Sequence, residues 1–205
     1  MRVDRIRVGN IDTICYVVSS LQKNALIIDP GDQGEKILRH IEREGLLPKM
    51  ILLTHGHYDH IGAIEALKKS GTIPVYVGRG DENMINGSLW ESYLGQSFSR
   101  PSYDFILTDG QSLTLDELQI KVISTPGHSP GSVSFVIQDA VFTGDTLFAD
   151  GGVGRTDLWK GSSADLADSI RRKLFILPEN MVVYPGHGNA STIGREKALH
   201  QINQS

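Results

Sequence analysis

Five of the seven histidines in this 205-residue chain lie in three short segments whose spacing suits metal binding. The first segment places His55, His57, Asp59 and His60 within six residues, directly after the apolar run at residues 50–54. Packing needs none of these side chains, and burying four such polar groups together is costly unless something binds them. Neutral imidazole and carboxylate suit zinc, iron or manganese, and the segment lacks the thiolate that is common in closed structural zinc sites. The segment therefore indicates a metal site.

Two other histidines and one aspartate occupy similar places along the chain. His128 and His187 each follow a predicted strand and a Pro-Gly pair, and Asp145 follows another predicted strand. Side chains on such turns lie at the mouth of a sheet, where binding residues are common. The remaining histidines, His40 on a predicted helix and His200 near the C-terminus, are predicted to be surface residues.

The elements that position these residues follow from the hydrophobic pattern. Alternating or β-rich runs predict strands at residues 3–8, 13–18, 25–29, 50–54, 74–77, 118–124, 133–137, 140–143 and 181–184. Helical spacing and end signals predict helices from a cap at Asp32 to a stop at Gly45, and at about residues 61–69, 163–177 and 193–202. Residues from about 80 to 103 are the least regular and contain aromatic residues, so we expect them to line the mouth of the cleft. This order suggests two packed sheets with helices outside, although a doubly wound parallel sheet fits the alternation almost equally well.

The histidine and aspartate segments resemble the signature of the metallo-β-lactamase superfamily, and the match runs across nearly the whole chain. This resemblance favours the α+β class with a four-layer αββα sandwich. It implies a first metal held by His55, His57 and His128, and a second metal held by Asp59, His60 and His187. It further implies that Asp145 bridges the two metals, and that Asp29 orients the site without binding metal.

Finer motifs resemble hydroxyacylglutathione hydrolase (glyoxalase II) and its shorter bacterial relatives. These motifs are residues 29–31, 128–132, 144–148, 154–157 and 192–196. The resemblance implies a dinuclear hydrolase, with zinc favoured over iron or manganese, whose metal-bridging hydroxide attacks a thioester or related acyl bond of a small acyl-thiol substrate. Asp59 and Asp145 are then the catalytic carboxylates, with Asp59 also helping to steer a proton. Arg155 either contacts substrate or forms a structural salt bridge, which is the favoured interpretation.

Other activities of the same fold remain open at this point. A persulfide dioxygenase uses a single iron at the first site and tends to retain the second-site residues. A flavodiiron-type redox module is disfavoured because the first motif has no glutamate and no flavin domain is attached. True β-lactamases of the superfamily typically place a cysteine among the second-metal ligands, where this chain has His60 and Asp145, which argues against antibiotic hydrolysis.

Composition sets the remaining expectations. A 40% hydrophobic and 21% charged chain of this length fits one domain over residues 1–205. About 18 residues follow His187, so no C-terminal helical glutathione-binding domain is expected, and selectivity for glutathione should be weak. The net charge of −4 gives no reason to expect nucleic-acid binding. No signal-like or membrane-length apolar run is present, which favours a cytoplasmic location. The single cysteine, Cys15, lies in a predicted strand and is expected to be buried.

Overall fold

The computed structural model describes the backbone of residues 1–85, 88–95 and 101–202. Its strands are β1 Arg2–Val8, β2 Thr13–Ser19, β3 Asn24–Ile28, β4 Leu47–Leu52, β5 Val75–Gly78, β6 Phe105–Leu107, β7 Ser112–Leu115, β8 Leu118–Ser124, β9 Val133–Ile137, β10 Ala140–Gly144, β11 Val182–Pro185 and β12 Ser191–Thr192. Its helices are α1 Gly34–Arg43, α2 Tyr58–Ile61, α3 Ile64–Lys68, α4 Glu82–Ile85, α5 Ser88–Leu94, α6 Ser163–Ser169 and α7 Ile193–Ile202, and α6 continues as a π-helix over Ile170–Leu174.

The strands form two six-stranded sheets. The first sheet has the order β1-β2-β3-β4-β5-β6, and the second has the order β12-β11-β10-β9-β8-β7. Strands β3 to β6 run parallel to one another, as do β10 and β11, whereas the other neighbours are antiparallel. Parallel neighbours end at the same edge of a sheet, so the turns that follow β3 and β4 lie side by side, and so do the turns that follow β10 and β11.

Burial of β2 on both of its faces shows how the layers stack. Tyr16 and Val18 pack into the core between the two sheets, together with Phe142 of β10. Cys15 and Val17, the alternate residues, pack into a second core beneath α1 and α3. A third core lies between the second sheet and helices α6 and α7. This four-layer arrangement confirms the predicted αββα sandwich, and Cys15 is fully buried as expected.

Several local predictions were wrong. Gln33, not Asp32, is the N-cap of α1, and it has a left-handed φ of 50°. Asp32 instead accepts a hydrogen bond from the backbone N–H of Gln33 at 2.6 Å. The helix predicted at about 61–69 is two short helices, α2 and α3, and α4 and α5 occupy part of the region expected to be irregular.

The two histidines outside the metal-site motifs are half-buried rather than at the surface. His40 lies 3.2 Å from the Asp4 carboxylate, and His200 packs its ring edge-on against Phe175. None of the helices in the described part of the chain has the length and apolarity that a membrane span requires.

Candidate metal centre

The structure brings together all seven predicted metal ligands at the edge where the two sheets meet. His55 and His57 follow β4 in the first sheet, and Asp59 and His60 lie in the adjoining helix α2. The second sheet contributes the turns after β8, β10 and β11, which carry His128, Asp145 and His187. The turn that carries His128 is held from outside, because Ser162 N donates to the Gly127 carbonyl at 2.7 Å.

The first cluster consists of His55, His57 and His128. One ring nitrogen from each of these histidines lies within 4.8 Å of the others, and the ring centroids are 4.4 to 4.7 Å apart. All three side chains are buried, and the Nε2 atom of each has no hydrogen-bond partner.

The second cluster consists of Asp59, His60 and His187. An Asp59 carboxylate oxygen lies 3.2 Å from Nε2 of His60 and 3.3 Å from Nε2 of His187. This cluster is the more open one, since the His187 side chain is 24% exposed and that of Asp59 is 12% exposed. We infer that the open side of the centre lies at Asp59 and His187.

The Asp145 carboxylate lies between the two clusters. Its Oδ1 atom is 3.5 Å from Nε2 of His60. Its Oδ2 atom is 3.5 Å from Nε2 of His128 and 3.5 Å from Nε2 of His187. A carboxylate that contacts both clusters has the placement that a bridging ligand requires.

Hydrogen bonds to Nδ1 hold the rings of three histidines so that Nε2 of each faces the centre. Nδ1 of His60 pairs with Asp29 Oδ2 at 3.0 Å, and Nδ1 of His128 pairs with the Arg155 carbonyl at 2.7 Å. Nδ1 of His187 pairs with the Ile11 carbonyl at 3.1 Å. Such outer partners fix the ring orientation of metal-binding histidines. Asp29 therefore lies where the sequence predicted it, beside the ligands.

The donor set fits metal ions. Four buried Nε2 atoms, those of His55, His57, His60 and His128, and one buried carboxylate oxygen of Asp145 have no hydrogen-bond partner. Buried polar atoms without partners are rare and costly. Their convergence is explained by divalent cations, for which neutral imidazole and carboxylate are suitable ligands.

The charges of the two clusters differ. Burial lowers the pKa of His57 to about 3 and the pKa of His55 well below its ordinary value. Burial alone would also lower the pKa of His60, but Asp59 and Asp145 together raise it. Burial would raise the pKa of Asp59, but His60 and His187 together lower it. His55 and His57 are therefore neutral imidazoles, whereas His60 and Asp59 form an ion pair.

Comparison with known proteins places this geometry in a family. The family model described as the metallo-beta-lactamase superfamily matches residues 9–187. The chain belongs to the metallo-beta-lactamase superfamily. Its fold, together with His and Asp clusters suited to two metal ions, indicates a metal-dependent hydrolase.

Curated relatives in this superfamily match over almost their full length. The probable metallo-hydrolase YqgX of Bacillus subtilis is 40% identical, with 96% of this chain and 95% of the relative covered. The hydroxyacylglutathione hydrolase GloC of Haemophilus influenzae is 37% identical, with 96% and 95% covered.

Two solved structures superpose closely on this chain. BLEG-1, described as a B3 metallo-beta-lactamase, has a TM-score of 0.90 and 38% identity, with 96% of this chain and 97% of that chain covered. TTHA1623 in a di-iron-bound form has a TM-score of 0.85 and 36% identity, with 95% and 97% covered.

Arg155 makes both side-chain and backbone contacts beside the metal centre. Its guanidinium forms two 2.7 Å hydrogen bonds with the Asp157 carboxylate, as the salt-bridge interpretation expects, and its carbonyl is the group that orients His128. Glycines keep this loop close to the ligands, because a Cβ at Gly154 would overlap the Asp145 carbonyl.

The region near residues 80–103 was predicted to line the cleft mouth. Trp90 does lie beside the centre, with its ring 5.2 Å from that of His57 and its Nε1 donating to the Gly56 carbonyl at 3.0 Å. It is only 3% exposed, so it supports His57 from behind instead of lining an open mouth. The Tyr93 side chain and residues 86–87 and 96–100 lie outside the described residues.

Sequence reasoning missed two residues that support the centre. Thr13, fully buried at the start of β2, donates from Oγ1 to the Asp59 carboxylate at 2.8 Å. Asp81, also fully buried, accepts hydrogen bonds from the loops that carry the first cluster. Neither residue stands in a pattern that marks a ligand, because both act through contacts distant in the chain.

Proposed function

We propose that this chain is a two-metal hydrolase that cleaves the thioester bond of small acyl-thiol compounds, in the manner of a hydroxyacylglutathione hydrolase. The observation that carries the proposal is the Asp145 carboxylate, which contacts both three-residue clusters. The similarity to GloC over 96% of this chain supports the choice of a thioester substrate.

His55, His57 and His128 would hold one ion, Asp59, His60 and His187 the other, and Asp145 would join them. When bound, the ions would supply a water activated as a nucleophile near neutral pH and would polarise an acyl carbonyl. We propose zinc, and the di-iron form of TTHA1623 makes iron the alternative.

The protein's own groups position the reaction. Substrate would enter at the more open second cluster, where the Phe148 ring lies 6.2 Å from that of His187 and supplies an apolar contact. Asp59, which accepts a hydrogen bond from Thr13, would help to steer a proton at this entrance. A thiolate leaving group needs little protonation, so the mechanism requires no separate general acid.

The test measures thiol release from S-lactoylglutathione and from the lactoyl thioester of a shorter thiol. We expect hydrolysis of both, its loss in His187→Ala, and its retention in His40→Ala, the matched histidine control outside the centre. A preference for the glutathione compound above about a hundredfold, or roughly 2.7 kcal/mol, would contradict the expectation of weak glutathione selectivity but would support the thioesterase. No hydrolysis of either thioester, with oxygen consumption on glutathione persulfide instead, would replace the proposal with the persulfide dioxygenase.

β-Lactam hydrolysis is a second candidate because BLEG-1, described as a B3 metallo-beta-lactamase, is similar over 96% of this chain. This similarity weighs against the expectation, drawn from the absence of a cysteine ligand, that the chain does not hydrolyse antibiotics. A chromogenic cephalosporin assayed beside the thioesters separates the candidates. Faster turnover of the cephalosporin than of either thioester would move the assignment to a β-lactamase.

A further inference from the structure

Asp81 is a fully buried carboxylate outside the predicted ligand set. It lies three residues after the end of β5 and immediately before α4. Its Oδ2 atom accepts from the backbone N–H of Gly56 at 2.8 Å and from Oγ of Ser129 at 2.6 Å. Its Oδ1 atom accepts from the backbone N–H of Gly131 at 2.7 Å. All three contacts need an acceptor, and a carboxylate supplies acceptors only.

These three donors belong to the two loops that carry the first cluster. Gly56 lies between His55 and His57, and Ser129 directly follows His128. The carboxylate of Asp81 therefore ties the turn after β4, in the first sheet, to the turn after β8, in the second.

The segments around Asp81 meet with no space for additional atoms. A Cβ at Gly131 would lie 2.7 Å from the Asp81 carboxyl carbon, and one at Gly56 would lie 2.8 Å from the Met84 Cβ. A Cβ at Gly78 would overlap the Gly131 carbonyl. The glycines at these positions let the backbones approach closely enough for one carboxylate to reach both loops.

Asp29 is another buried carboxylate beside the ligands. Its carboxylate accepts from the backbone N–H of Thr54 at 2.8 Å and pairs with Nδ1 of His60 at 3.0 Å. Asp29 was expected from the sequence, whereas Asp81 has no counterpart in the predicted set. Asp29 also accepts from Oγ1 of Thr54 at 2.6 Å, and this hydroxyl contacts Nδ1 of His55 at 3.0 Å, so Asp29 supports a ligand of each cluster.

We propose that Asp81 is a positioning residue for the first metal site, where it fixes the distance between the loop of His55 and His57 and the loop of His128. The inference rests on the two-metal site of the proposed function but not on thioester chemistry. Outer-shell partners of metal ligands typically change metal affinity by about 10- to 100-fold. Loss of Asp81 should therefore weaken the first site by about this factor and leave the second site unchanged.

The experiment measures Zn²⁺ affinity of the full chain by competition with a chromophoric chelator, without substrate. Asp81→Asn is combined separately with His187→Ala, which impairs the second site, and with His57→Ala, which impairs the first. We expect Asp81→Asn to lower the affinity of the remaining ion by about 10- to 100-fold in the His187→Ala background. In the His57→Ala background we expect a change of less than about threefold.

Glu196→Gln is the matched control for simple loss of stability. Glu196 is also a fully buried carboxylate with three donors, which are the backbone N–H groups of Asp150 and Gly151 and the hydroxyl of Ser191. It touches neither loop of the first cluster, so this variant should lower the unfolding temperature while keeping both Zn²⁺ affinities.

Ser129→Ala is a second variant that removes only one of the three hydrogen bonds to Asp81, and it keeps the test decisive if Asp81→Asn does not fold. We expect a smaller loss of affinity, again confined to the His187→Ala background. Equal losses in both backgrounds, or unchanged affinity in the His187→Ala background, would overturn the proposal. A failure of the proposed function would appear separately, as absent thioester hydrolysis by protein with normal Zn²⁺ binding.

Discussion

Replacement of Gly186 by alanine tests the geometry of the bridging carboxylate most directly. Gly186 precedes His187 and donates its backbone N–H to the Gly144 carbonyl at 2.8 Å. An added Cβ would overlap Oδ1 of Asp145 and would lie 2.8 Å from Cε1 of His60. The substitution therefore presses on both residues at once while adding a single methyl group.

The size of the effect follows from the displacement. Ordinary contact begins at about 3.4 Å, so His60 must shift by roughly 0.6 Å, and Asp145 by more. A misplacement of about 1 Å in an active site costs about a hundredfold in rate. We therefore expect Gly186→Ala to lower kcat/KM by about 10- to 100-fold, or about 1.4 to 2.7 kcal/mol, and to weaken binding of the second metal. Overpacking should also cost about 1–3 kcal/mol of folding stability.

Gly188→Ala, two residues further along the chain, is the control. A Cβ at Gly188 would meet no atom within 4 Å, but its φ of 79° is left-handed. This variant should lose about 1–2 kcal/mol of stability and keep its metals and its turnover. Metal content, Zn²⁺ affinity, thioester kinetics and thermal unfolding are measured on both variants. If Gly186→Ala binds two metals with unchanged affinity and turns over normally, the assignment of Asp145 as the bridge between the clusters is wrong.

Three further predictions address the same centre. Elemental analysis of protein purified without added metal should give two divalent ions per chain, and a clear ceiling of one would contradict the two-metal site. Asp145→Ala should lose the second ion and most of its activity, so near-normal turnover with two ions bound would show that Asp145 is not the bridge. Thr13→Val, which keeps the shape but removes the 2.8 Å hydrogen bond to Asp59, should cost about 1 kcal/mol in binding of the second ion. An unchanged second affinity would mean that Asp59 needs no support from Thr13.

Regular elements with strong local patterns were predictable from the sequence. Strands β8 and β9 and helix α7 have the predicted bounds, and in the two strands the apolar residues alternate clearly. Strands β6, β7 and β12, of two to four residues each, were missed. The break between α2 and α3 has a cause distant in sequence, because the backbone N–H of Ala63 donates to the Pro30 carbonyl at 2.9 Å instead of to the preceding helical turn.

The residues of the candidate site also differ in whether a local sequence pattern reveals them. His55, His57, Asp59 and His60 are recognisable because they lie within six residues of one another. Asp81 is not recognisable, because it acts on Ser129, 48 residues away in the chain. Its role depends on how the two sheets dock, which a local pattern does not reveal.

Because the metal site lies where the two sheets meet, metal binding should affect folding stability as well as catalysis. In the first cluster, His55 and His57 follow a strand of the first sheet, and His128 follows a strand of the second. In the second cluster, Asp59 comes from the same side as His55, and His187 follows a strand of the second sheet. Neither half of the chain holds a full set of ligands. Each bound ion would therefore act as a cross-link between the halves, adding about 2.7 kcal/mol of stability when free metal stands at a hundred times Kd. Removal of the ions by a chelator would then weaken the packing between the two sheets as well as abolish activity. The free metal concentration in the cell would therefore set the folding stability of the chain.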